Sequence, residues 1–143
     1  MKLIKEYTKD QLFQLAFKDQ LTGTYNRNAL EEVRAEYECK NVWVSIIDID
    51  NLKQINDRNG HAAGDIIITK VAKQLMEFSP DTIRLGGDEF LMLSKEQPPT
   101  IIENATIGTI QKLQACSITE AMHYADLIMY YNKEEKKHGK HDA

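Results

Sequence analysis

The chain has 143 residues, 42% hydrophobic and 28% charged, with a net charge of −4. That length fits one domain with a real core, and the balance excludes a disordered chain. The negative charge argues against nucleic acid as a stable partner, because such binders carry a basic footprint, but a mononucleotide needs only a few local cations.

From the N-terminus, residues 8–19 set Leu12, Leu15, Ala16 and Phe17 at helical spacing. The pattern breaks at Gly23, and Asn26 is suited to cap a second helix over 27–38 with Leu30, Val33 and Tyr37 on its apolar side. NVWVSIIDID (41–50) is β-branched and nearly all apolar up to Asp48, as expected of a central strand covered on both faces. A polar segment over 51–65 then leads into a helix over 66–78. TIRL (82–85) and FLML (90–93) are short apolar strands, joined as a hairpin through Gly86-Gly87. KEQPPT (95–100) interrupts, ATIGTI (105–110) is a further strand, and 117–137 is a terminal helix with Ser117 and Glu120 spaced as a capping box. The alternation predicts an α/β fold over 1–143: a single palm-like sheet with flanking helices.

Cys39 and Cys116 lack metal-ligand spacing and read as ordinary reduced thiols. No apolar run is long enough for a bilayer and the first residues lack the apolar core of a signal peptide. A cytoplasmic protein with no membrane anchor of its own is expected.

Asp48 ends a buried strand, where a carboxylate is costly to desolvate unless it is compensated, and a metal ion is the usual partner. Asp88 and Glu89 sit at the hairpin tip, so a hairpin beside the Asp48 strand brings three carboxylates to one sheet edge. Hard oxygen ligands of this kind suit Mg²⁺ or Mn²⁺, and the bland alternative is three acids in solvated turns. The segment from Asp48 to Asp65 follows a strand and enters a short helix, which offers free backbone N–H groups to phosphate, with Lys53 as a point charge. Asn56 and Asp65 together can read a base edge; singly, each is more simply a helix cap, Asp65 the one before Ile66. His61 reads as structural, His123 as a surface or packing residue, and the basic tail KKHGKH as a solvated end or a triphosphate contact.

DQLTGTYNRNAL (19–30), DIDNLKQINDRNGHAAGD (48–65), RLGGDEF (84–90), TIGTI (106–110) and YADLIMYYNK (124–133) stand in the order and register of the GGDEF domain, and the chain resembles that family along nearly its whole length. The resemblance implies a nucleotidyl cyclase that joins two nucleoside triphosphates, ATP or GTP, into a cyclic dinucleotide and releases diphosphate. It places Asp48, Ile49, Asp88 and Glu89 at the metals, makes Asp48, Asp88 and Glu89 the catalytic residues, and sets Glu89 beside the reacting 3′-hydroxyl. It assigns nucleotide contacts to Asn51, Leu52, Lys53, Asn56, Asp65 and Lys133, and to Lys137 where the family has an arginine. It also implies a homodimer, at least a transient one, since each subunit holds one nucleotide.

Three departures stand out. MEFSPDTIRL (76–85) lacks the family's RxxD inhibitory motif, so product inhibition through it is not expected. SKEQPPTIIEN (94–104) is all that remains where the family carries a further helix and strand, and no attached sensor domain is expected. This stripped form resembles the minimal CRISPR polymerases, which implies an adenine-containing signal in anti-phage defence. A diguanylate cyclase making c-di-GMP, and a degenerate domain that binds nucleotide without turnover, are the alternatives.

Overall fold

The computed structural model describes residues 4–141. Its centre is β1 (Val42–Ile49), flanked by β3 (Glu89–Ser94) and β4 (Ala105–Lys112), with β2 (Thr82–Arg84) outside β3. All three pairings are antiparallel, in the order β2-β3-β1-β4. The expected α/β architecture with one sheet and flanking helices is therefore present.

The period-2 alternation of a strand divides β1 between two cores. Val42, Val44 and Ile46 meet Leu91 and Leu93 of β3 beneath α2 (Leu30–Tyr37) and α5 (Ile118–His141). Ile47 and Ile49 face the opposite way, with Phe90 and Met92, toward α4 (His61–Phe78). Asp48 falls by the same alternation on the α5 face, and so does its β3 partner Glu89.

Several boundaries differ from expectation. The polar 51–65 segment holds more helix than expected: it forms α3 (Leu52–Asn59), turns at Gly60, and begins α4 at His61, five residues before the expected start at Ile66. Asp65 is therefore inside a helix and is no cap. A 3-10 turn, Arg27–Ala29, precedes α2, and Asn26 caps that turn by accepting from Asn28 N at 2.9 Å. α1 (Lys9–Phe17) buries none of its residues, so its apolar side is not core. The capping box of α5 is half made, with Glu120 N donating to Ser117 Oγ at 3.0 Å. The basic tail continues α5 to His141 instead of leaving it. Among the described residues, no helix is long and apolar enough to cross a membrane.

Candidate active site

The Cα register pairs Asp48 with Glu89 on one side and with Thr106 on the other. The two carboxylates thus stand opposite each other at the C-terminal end of β1. Because β1 is an interior strand, the acids gather at an end of the sheet and not at its edge. Ile49 N donates to Asp88 O at 2.9 Å, which ties the hairpin turn to the same strand end.

Two arginines fix that turn. Arg84 donates from Nε to Gly86 O at 3.2 Å and from Nη2 to Gly87 O at 2.9 Å. Its Nη1 lies 3.1 Å from Asp19 Oδ2, and Arg27 Nη1 donates to Leu85 O at 3.1 Å. Burial opposes the charge on Asp19, but hydrogen bonds from Thr22 and the Arg84 guanidinium outweigh it and hold the carboxyl below its usual range. A planar, permanently charged fork suits a task that requires several carbonyls at once.

α5 brings cations to the acids. Lys133 Nζ lies 3.1 Å from Asp48 Oδ1 and donates to Ile49 O at 3.4 Å. Lys136 Nζ donates to Asp50 Oδ2 at 2.9 Å and to Ala105 O at 2.7 Å, while Thr106 Oγ1 donates to the other Asp50 oxygen at 2.7 Å. Lys137, the expected phosphate contact, lies 3.5 Å from Glu134 on its own helix, though it also lines the small cleft formed by Asp50, Asn51, Lys133 and Lys136.

The acids are out of balance with these cations. Burial raises the Asp48 carboxyl, the Lys133 ammonium opposes that shift, and the Asp88 charge adds to it. Burial also raises Glu89, and Asp126, Asp48 and Asp88 reinforce the shift against Arg27. Asp48 Oδ1 is buried and takes no well-directed hydrogen bond. Excess negative charge and a buried carboxylate oxygen whose one close cation is the Lys133 ammonium, beside the Ile49 carbonyl, fit a divalent cation with oxygen ligands. Among the described residues, no three His, Cys, Asp or Glu side chains already close on one metal position, so carbonyl, phosphate and water oxygens would complete the set.

The α3–α4 corner makes a second feature. Asn51 adopts a left-handed conformation, φ 57°, and turns the chain from β1 into α3. Leu52 packs into the α4-side core, whereas Lys53 is exposed. Asn56 presents a buried Oδ1 with no partner. It sits against Gly64, where a Cβ would stand 1.8 Å from that oxygen. Asp65, the next residue, is exposed, so the corner offers an unfilled acceptor beside a carboxylate. His61, at the start of α4, and His123 are both exposed.

Asp19, Arg27, Arg84, Asp50 and Thr106 lie inside the quoted motifs, but no local pattern assigns them a specific role. Lys136 carries no signal beyond its place in the basic tail.

The family profile described as "Diguanylate cyclase, GGDEF domain" matches residues 16–116. The chain is 34% identical over 125 residues to the diguanylate cyclase DgcP of Escherichia coli K12, covering 81% of this chain and 35% of that protein. It is 30% identical over 157 residues to the cyclic di-GMP phosphodiesterase PdeR of the same organism, covering 88% of this chain and 24% of that protein. The chain thus spans about a third or less of these curated relatives. Its fold is like that of the coiled coil and GGDEF domain of DgcB from Caulobacter crescentus in complex with c-di-GMP, with a TM-score of 0.75 at 23% identity, over 88% of this chain and 85% of that one.

Proposed function

The chain belongs to the GGDEF domain family of diguanylate cyclases, and on that premise we propose that it condenses two molecules of GTP into c-di-GMP. The observation that carries turnover over mere binding is the Asp48–Glu89 pair, two carboxylates opposite each other on the α5 face with Asp88 at the adjoining turn. A domain that only bound nucleotide would have no use for so costly a concentration of charge.

In this reading each 3′-hydroxyl attacks the α-phosphorus of the other nucleotide, a P–O bond forms, and the bond to diphosphate breaks. Glu89 accepts the hydroxyl proton, a role that its raised carboxyl favours. Asp48, Asp88 and the Ile49 carbonyl would hold Mg²⁺ or Mn²⁺, which supplies charge neutralisation at the α-phosphate and acidifies the attacking hydroxyl. Lys133 and the cleft with Asn51 bind triphosphate oxygens, with Lys53 and Lys137 as further charges. Leu52 packs the floor under the nucleotide, and the unfilled Asn56 oxygen accepts from a base N–H, with Asp65 beside it.

Guanine is preferred here over adenine. The adenine reading, and with it a role in anti-phage defence, rests on compactness, of which the short β3–β4 connection is one part. The match to diguanylate cyclases outweighs it.

The test is mass spectrometry of products from GTP, ATP and their mixture, with Mg²⁺ or Mn²⁺. Expected is c-di-GMP from GTP, with Asp48→Ala and Asp88→Ala each lowering the rate by about a hundredfold or more while the fold persists. Product from ATP alone would overturn the guanine assignment. GTP binding without product in any mixture would make the domain a sensor.

A further inference from the structure

We propose that Cys39 and Cys116 form a thiol pair that closes into an intramolecular disulfide, a modification site apart from the nucleotide site. They are the chain's two cysteines, and both are exposed. Cys39 lies between α2 and β1, and Cys116 lies between β4 and α5. Far apart in sequence, these two connections are joined on either side of the cysteines. Ile118 N donates to Glu38 Oε1 at 3.0 Å, and Gln114 N donates to Asn41 Oδ1 at 2.6 Å. Between these tethers both connections turn: Lys40 N donates to Tyr37 O at 3.1 Å and Cys116 N donates to Leu113 O at 3.0 Å. The two cysteines therefore sit on neighbouring turns that are tied together on either side of them. A third tie reinforces the junction: the buried Lys112 donates from Nζ to Lys40 O at 2.8 Å.

A disulfide needs its Cα atoms about 4.4–6.8 Å apart. Two exposed turns tethered on both sides of the cysteines can reach that spacing with small adjustment. The oxidant is a small disulfide such as oxidised glutathione. One cysteine thiolate attacks a glutathione sulfur, forming a mixed disulfide and expelling one glutathione thiolate. The second cysteine thiolate attacks the protein sulfur of that mixed disulfide and expels the other glutathione. The protein loses two electrons and two thiol protons, and the oxidant becomes two reduced glutathiones. The bond ties the end of α2 to the start of α5 and encloses the whole sheet in one covalent loop, which restricts the unfolded chain.

The whole chain is treated with oxidised glutathione, its free thiols are alkylated, and it is digested without reduction for mass spectrometry. Expected is a Cys39–Cys116 linked peptide from monomeric protein, reversed by dithiothreitol, with a Tm roughly 5 °C or more above the reduced form. Cys39→Ser and Cys116→Ser should each stop at a single glutathione adduct. Two stable glutathione adducts on the wild type, a disulfide-linked dimer, or thiols that never react would each overturn the pairing.

Discussion

Glu89 is held in a charge state that its surroundings oppose. Burial is the largest cause, followed by repulsion from Asp126, Asp48 and Asp88, and the carboxyl rises above its ordinary 4.5. A carboxyl with a raised folded-state pKa binds protons more readily folded than unfolded. It costs nothing below the unfolded value and destabilises progressively as pH rises toward and past the folded one. Glu89→Gln, which keeps the shape and removes the charge, should raise the Tm of the metal-free protein by roughly 2–5 °C at pH 7. The gain should vanish near pH 4, and turnover should be lost at every pH. A variant equally or less stable than wild type at neutral pH would show that the repulsion is relieved elsewhere. Lys133 answers the same imbalance with an ammonium between Asp48 Oδ1 and Ile49 O, two of the oxygens proposed to face the metal. In nucleotide-free protein it competes for that position. Lys133→Met should tighten Mn²⁺ binding several-fold by titration calorimetry while raising the KM for GTP. Weaker Mn²⁺ binding would mean that the ammonium organises the oxygens and does not block them.

α5 can carry Lys133 and Lys136 to the strand end only because it rests directly on β4. At Gly108 an added Cβ would stand 2.2 Å from Ala125 O and from Met129 N, both backbone atoms, so no side chain can move aside. Overpacking of this kind costs about 1–3 kcal/mol and shifts the helix. Gly108→Ala should lower the Tm by several degrees and cut kcat more than it raises KM, although residue 108 touches no reacting group. An unchanged kcat beside a lowered Tm would show that the seating of α5 serves stability alone. The strands and the glycine turn were legible because burial on both faces writes an apolar run, and because Gly86-Gly87 between two such runs leaves few other structures. α3 was legible only as a short helix without bounds: LKQINDRN has only Leu52 and Ile55 as apolar residues, and the left-handed turn at Asn51 that starts it comes from the fold around it. The acids of the site could be named from their motifs, but what holds them could not. Arg84 acts on carbonyls of its own turn and on Asp19, 65 residues away, a partnership that no local pattern encodes. Lys136 and Lys137 stand three and four residues after Lys133, both compatible with its face. Only the packing of α5 selects Lys136 to reach Asp50.

The chemistry of a cyclic dinucleotide asks for more than the chain presents. Among the described residues there is one Asp48–Asp88–Glu89 group and one Asn56 corner, enough to hold and activate a single triphosphate. On the proposed function, a second copy related by a two-fold axis would supply the other half and turn each hydroxyl toward the partner's α-phosphate. The same axis would bring two acidic strand ends toward each other in a chain of net charge −4, which opposes pairing. The pairing we propose is therefore weak in free protein and held by metal and nucleotide between the subunits, with proximity then worth about 7 kcal/mol or more of the barrier. Sedimentation should show monomer alone and dimer with metal and a non-hydrolysable GTP analogue. Specific activity should climb with protein concentration until pairing saturates. Added Asp48→Ala chains should depress wild-type activity beyond dilution, because a mixed pair lacks one working half and cannot close the ring. Activity that stays proportional to wild-type chain, in solutions where only monomer sediments even with the analogue bound, would rule out the paired site.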